Sequence, residues 1–228
     1  MPRPCPGCQE SFPVAWYRGL LPGGLPSSSH SSQTGRVRTA FKEWAVIVEA
    51  LGRGQQILIL RKGGIAEGRH GFQVDHSRFL LFPTQFHQQR SQVTPDGQAL
   101  FDALVPQMPP PDRLRIDYEA TVTGWRKLGS LEEAMRLSGQ HLWRSEVVQE
   151  RFDWGREQAI FAMALRVGKL RQSLDLPFLP QYGGCRSWIS LEVEDGQESS
   201  IPVLDSDAYR VRIDAIESAL GGLLTSSC

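Results

Sequence analysis

Residues 57–88 read ILILRKGGIAEGRHGFQVDHSRFLLFPTQFHQ, and the fold turns on how the two apolar runs within this stretch are used. Ile57–Leu60 is a short β-type run, stopped by Arg61, Lys62 and the pair Gly63-Gly64. Phe79–Phe82 is a second run, stopped by Pro83 and followed by Thr84, His87 and Gln88. If the two are neighbouring strands, their ends set a glycine turn and several hydrogen-bonding side chains around one pocket.

Upstream, Thr39–Leu51 carries Phe41, Trp44, Ala45, Val48 and Leu51 on one helical face, with Gly52 and Gly54 as stops. That spacing predicts a helix whose Lys42, Glu43 and Glu49 stay in water. Residues 1–38 are rich in Pro, Gly and Ser and read as a disordered or linker-like tail. Cys5 and Cys8 have the spacing of half a zinc site, but no second pair completes it, so the motif reads as incidental.

Downstream, Thr84 is placed to cap a short helix through Gln85–Arg90, and Pro95–Leu104 reads as another helix. Leu114–Leu128 alternates Leu114, Ile116, Tyr118, Ala120 and Val122 with polar residues, the pattern of a long half-buried strand. Ser130 and Glu133 form a capping box, and His141–Trp154 follows as a helix. Ala159–Val167 is a nearly continuous apolar run expected to be a central strand. Pro177–Tyr182 reads as extended and Ser187–Val193 as a further strand. From Asp205, Tyr209, Ile213, Ile216 and Leu220 mark a last amphipathic helix closed by Gly221-Gly222. Helices and strands mix without βα alternation. The expected class is therefore α+β, a mixed or barrel-like sheet flanked by helices. The expected division is a tail over 1–38, a core domain over 39–193, and an acidic linker with a packed helix over 194–228.

The chain has 228 residues, with 25 basic against 25 acidic, so no global charge advertises a polyanion partner. The distribution is uneven. Five basic residues face two acidic ones between Arg61 and Arg90, whereas eight acidic residues face two arginines from Glu192 onward. No apolar run approaches the ~20 residues that span a bilayer. Pro13, Arg18 and Pro22 interrupt any signal-peptide core, so a cytoplasmic protein with reduced thiols and no membrane partner is expected.

Arg61-Lys62-Gly63-Gly64 follows a strand, where converging backbone N–H groups and two cations suit a phosphate or carboxylate. The plain alternative is a charged turn. No P-loop is present, and the strand's likeness to the opening of Nudix hydrolases lacks their acidic helix. Asp75, His76 and His87 would serve as acid–base groups or metal ligands only if the strand ends bring them together. The simpler reading is satisfied hydrogen-bonding residues, and no resident cofactor or metal is expected. Tyr182-Gly183-Gly184-Cys185-Arg186-Ser187-Trp188 is the second dense cluster. Aromatic rings beside Arg are the chemistry that holds an unpaired base. The alternative here is a turn into a core strand. Cys185 as a nucleophile would need a base delivered by the fold.

The blocks FKEWAVIVEALGRGQQILILRKGGI, FQVDHSRFLLFPTQFHQQ and LPQYGGCRSWISL together resemble a bacterial family known as domain of unknown function 1802, over about residues 39–192. The signature positions are Arg61–Ile65, Val74-Asp75-His76 (Asp where Glu is commoner), Phe79–Thr84, His87-Gln88 and Tyr182–Trp188. That resemblance implies no established activity. Some relatives are thought to sit beside restriction-endonuclease-type domains, which implies a link to DNA restriction or modification. The layout is also similar to PUA-like barrels such as ASCH and EVE domains, and this likeness implies RNA or modified bases held in a cleft.

The expected function is a nucleic-acid or nucleotide (phosphate-anion) binding module, its partner DNA, RNA or a nucleotide. The expected binding residues are Arg61, Lys62, Gly63, Gly64, His76, Arg78, Thr84, His87, Gln88, Tyr182, Gly183, Gly184, Cys185, Arg186 and Trp188. One alternative is a metal-assisted phosphodiester hydrolase using Asp75, His76 and His87. Another is a protein-interaction subunit docking through its acidic C-terminal helix.

Overall fold

The apolar run at 79–82 lies deep in the protein with all four side chains 1% exposed or less, because its strand is covered on both faces. In a computed structural model of the chain, the described residues are 35–62, 76–85, 89–155, 157–184, 186–194, 199–222 and 224–226. Among them the elements are β1 (Gly35–Trp44), α1 (Ala45–Gly52), β2 (Leu58–Arg61), β3 (Arg78–Thr84), α2 (Pro95–Leu104), β4 (Arg113–Leu128), α3 (Leu131–Met135) and α4 (Ser145–Asp153). They continue with β5 (Ile160–Pro177), β6 (Trp188–Glu194), β7 (Ser200–Pro202), α5 (Ser206–Leu220) and β8 (Thr225–Ser226). The fold is α+β, as expected.

The strands form one mixed sheet in the order β2-β5-β4-β3-β1-β6, with β7 on β5 and β8 on β4. β1 runs parallel to β3, Phe41 opposite Leu81, and the other pairs are antiparallel. The long β4–β5 hairpin-like pair is bent by register shifts between Ile116 and Tyr118 and between Val122 and Gly124. Such irregularities increase local twist and let a sheet curl. The curl brings the two outermost strands of the order together: Arg61, at the end of β2, donates to Ser187, beside β6, at 2.5 Å. The sheet is thus curled until its two outermost strands meet at a seam joined by side chains.

One core cluster lies on the inner face, built from Phe41, Ile47, Leu51, Ile59, Phe79 and Leu81 with others. A smaller one, with Ala40, Leu80, Phe82, Ile116, Tyr182 and Leu191, covers the outer face of the same strands. Burial on both faces explains why FLLF reads as continuous rather than alternating.

Several expectations are corrected. Residues 39–44 are strand, not helix, and the helix begins only at Ala45. Pairing with β3 and β6 overrides the helical spacing of Phe41, Trp44 and Val48. As a consequence Lys42 and Glu43, expected in water, are 9% and 2% exposed. The two apolar runs, β2 and β3, are separated in the sheet by β5 and β4 and are not neighbours. Thr84 ends β3 and donates its hydroxyl to the Glu43 carbonyl at 3.1 Å, while residues 86–88 of the helix it was expected to cap lie outside the described residues. Residues 180–182 form a 3-10 turn, not an extended segment. The cap expected at Ser130 is present: its Oγ accepts from the Glu133 N–H at 3.1 Å, and Glu133 reaches back to the Gly129 N–H. α5 is capped by Asp205 and buries Ile216 and Leu220, with Tyr209 Oη 2.6 Å from Thr123 Oγ1.

Candidate functional site

β1 delivers Phe41 and Glu43 to the inner face and Lys42 to the outer face, since side chains alternate along a strand. Around Phe41 the seam is lined with aromatic rings. Trp188 lies edge-on at 4.7 Å and Phe79 is tilted at 5.5 Å, while His76 meets Trp188 at 5.3 Å. Each ring pair contributes about 0.5–1.5 kcal/mol beyond its burial. His76 is exposed, and Trp188 is half-buried.

Arg61 is the hub of the seam. Its guanidinium lies 4.8 Å above the Phe41 ring, bonds Ser187 Oγ, and stands 3.7 Å from Glu43 Oε2. Its side chain is 21% exposed, so it faces solvent from one side while the Glu43 side chain, at 1%, does not. Behind Glu43 stands Arg151 of α4, which covers the Trp143 ring at 3.8 Å and donates to the Leu60 carbonyl at 3.1 Å. Burial pulls the Arg151 guanidinium down to about 10, against the raising effect of the Glu43 carboxylate, so it stays a cation at neutral pH. Glu43 accepts the Trp44 N–H through Oε1 at 2.9 Å, and its Oε2 has no hydrogen-bond partner.

On the outer face, Lys42 Nζ donates to the carbonyls of Tyr182 and Gly184 at 2.7 and 2.8 Å, with Gly183 at 3.5 Å. Its own N–H bonds the Ser187 carbonyl at 2.8 Å. One buried ammonium thus fixes the turn that leads into β6. Gly184 in that turn has φ +77°, a conformation that favours glycine.

Ends of all three sequence blocks meet here: Arg61 from the first, His76 from the second, and Ser187 and Trp188 from the third. Arg186, the residue before Ser187, is exposed. Other predicted residues stand apart or are committed elsewhere. Lys62 Nζ donates to the carbonyls of Phe152, at 2.8 Å, and Glu157. Burial lowers its pKa, opposed by the charges of Glu157 and Asp153. Arg78 projects to the outer face and clamps Glu119 at 2.6 and 3.1 Å, a structural ion pair. Tyr182 is buried against Phe82 and Phe178 and offers no ring to the seam. Gly63, Gly64, Asp75, His87, Gln88 and Cys185 lie outside the described residues.

Sequence reasoning missed Glu43, Arg151 and Lys42. A charged pair inside an apolar block was the available signal, but the helical reading of residues 39–51 put both of its members in water. Among the described residues no cluster of His, Cys, Asp or Glu could hold a metal ion, and no helix is long and apolar enough to cross a membrane. A polar cavity of ≈ 520 Å³, lined by Arg53, Asp96, Leu100, His141 and Arg212 among others, shares no residue with the seam.

No curated protein matches the chain. Among solved structures it is similar to the crystal structure of ASCH from Zymomonas mobilis, at 11% identity and a TM-score of 0.40, over 67% of this chain and 86% of that one. A likeness so loose carries no functional argument. The profile of domain of unknown function DUF1802 matches residues 40–215, which reaches past the 39–192 span of the sequence resemblance into α5. With the family profile covering most of its length, the chain belongs to the DUF1802 family.

Proposed function

We propose that the seam binds a nucleic acid or nucleotide, with Arg61 and Arg186 contacting phosphate and the aromatic wall around Phe41, Trp188 and His76 receiving a base. The observation that carries this reading is the position of Arg61: a guanidinium held by Ser187, Glu43 and the Phe41 ring, yet open to solvent on one side. A cation oriented in advance against an aromatic wall suits a ligand that has both negative charge and a flat apolar face. Lys62, expected to contact phosphate, and Arg78, expected among the binding residues, contribute less because their hydrogen bonds are already made within the protein. The balanced charge of the whole chain limits the affinity, since non-specific binding scales with the number of phosphates neutralised.

The reading places the protein where it meets nucleic acid, in the cytoplasm. Fluorescence anisotropy with short single-stranded RNA and DNA at two salt concentrations tests it. Binding should weaken as salt rises and should fall in Arg61→Ala and in Arg186→Ala. Binding that ignores salt, or that is unchanged in both variants, overturns it.

A further inference from the structure

Among the described residues, the buried side-chain polar atoms with no hydrogen-bond partner are Glu43 Oε2, Trp188 Nε1, Trp143 Nε1 and His141 Nε2. They form one connected group rather than being scattered. Glu43 stands 3.7 Å from Arg61. Arg61 and Trp188 both lie against Phe41. Arg151 joins Glu43 to the Trp143 ring, and His141 accepts the Trp143 backbone N–H through Nδ1 at 3.2 Å. Buried polar groups are nearly always paired, so the two at the seam, Glu43 Oε2 and Trp188 Nε1, each call for a partner.

We infer that Glu43 Oε2 and Trp188 Nε1 are the hydrogen-bonding edge of a pocket for an unpaired base. This rests on the nucleic-acid reading above and names the part of the ligand that the seam selects. A carboxylate can only accept a hydrogen bond and an indole N–H can only donate one. A ligand satisfying both must present a donor to the carboxylate and an acceptor to the indole N–H. It must also be flat and apolar enough to lie among Phe41, Phe79 and Trp188. The Watson–Crick edge of a nucleobase has these properties. A phosphate group offers acceptors and negative charge, which Glu43 repels, so phosphate belongs outside, at Arg61 and Arg186. In a duplex the same base edge is occupied by its partner strand, so the pocket takes a base that is single-stranded or flipped out. Both orphan atoms are covered in this structure. The Arg61–Ser187 bond is the side-chain clasp across the seam, and a base enters when that clasp parts.

Binding of the full chain is measured for three probes: a short single-stranded RNA, the same RNA annealed to its complement, and inorganic polyphosphate. The expected result is a single strand bound about tenfold more tightly than the duplex, the effect of one desolvated hydrogen bond to a charged group. Glu43→Gln removes the charged acceptor. Trp188→Phe keeps an aromatic ring and removes only the donor. Each should lower the ratio of single-strand to polyphosphate affinity about tenfold. Glu43→Gln leaves Arg61 and Arg151 without their shared carboxylate and is open to folding loss, so Trp188→Phe, checked by its melting temperature, carries the test alone if needed. Equal binding of single strand and duplex, or an unchanged ratio in the folded variants, overturns the inference while leaving phosphate binding intact. Failure of the wild type to bind any of the three probes overturns both this inference and the reading it rests on.

Discussion

Replacing Glu119 by Gln should cost the protein stability and leave the seam untouched, and the size of the effect follows from what this carboxylate holds. Glu119 is 4% exposed on the outer face of β4. It accepts from Arg78 at 2.6 and 3.1 Å, from Arg38 at 2.8 Å and from Ser200 at 2.6 Å, tying β3, β1 and β7 to β4. Removing one member of a buried pair costs about 3–5 kcal/mol. The Arg78 side chain is 54% exposed, however, and regains water when released. A loss of about 2–3 kcal/mol is therefore expected, which for a folded unit of this size lowers Tm by roughly 5–10 °C. Burial pushes the Glu119 carboxyl up, but the hydrogen bonds from Arg78, Ser200 and Arg38 outweigh it and hold the pKa below its ordinary value. A depressed folded pKa means the stabilisation is complete above the ordinary carboxylate range and is lost as pH falls through the folded value. Calorimetry of wild type and variant should then show a gap in Tm at neutral pH that narrows in acid. A variant melting with the wild type at neutral pH, or a gap that widens in acid, refutes the reasoning.

Gly52→Ala should be strongly destabilising, although alanine favours helix, because its Cβ would lie 2.1 Å from Tyr118 Cζ. Overpacking of this kind costs about 1–3 kcal/mol or more, read from urea denaturation. Wild-type stability in the variant would contradict the close packing of α1 on β4. His141 should titrate near pH 4, driven down first by burial and then by the charge of Arg151. Because the unfolded imidazole takes its proton near 6.5, stability should fall as pH drops between that value and about 4. An NMR midpoint at the ordinary histidine value would show that the ring is not buried as described.

Much of the fold was legible because local chemistry and tertiary context agree. The alternation of β4, the Pro95 start of α2, the Ser130 capping box, and the Asp205 and Gly221 ends of α5 are all local signals that the structure uses. β1 was illegible for a physical reason. Covered on both faces, it carries Ala40 and Phe41 into two different cores, so no strict alternation survives. Its charged residues are buried by partners distant in sequence: Lys42 by the 182–184 carbonyls, and Glu43 by Arg61 and Arg151. Patterns of hydrophobicity cannot reveal a carboxylate that is inside because two guanidinium groups from other elements surround it. The same limit applies to Lys62 and Arg78. Each reads as a free cation in sequence, and each is held in the structure by acceptors at least 41 positions away.

The salt dependence of binding to one short single-stranded RNA, compared between wild type and Arg61→Ala, tests the central claim most directly. With two phosphate contacts, at Arg61 and Arg186, the wild type should give a slope of log K against log salt of about −1.4. Arg61→Ala should bind more weakly at every salt concentration, with a slope shallower by about 0.7. A wild-type slope of zero, or a variant whose slope and affinity match the wild type, would contradict the assignment of the seam as the binding site.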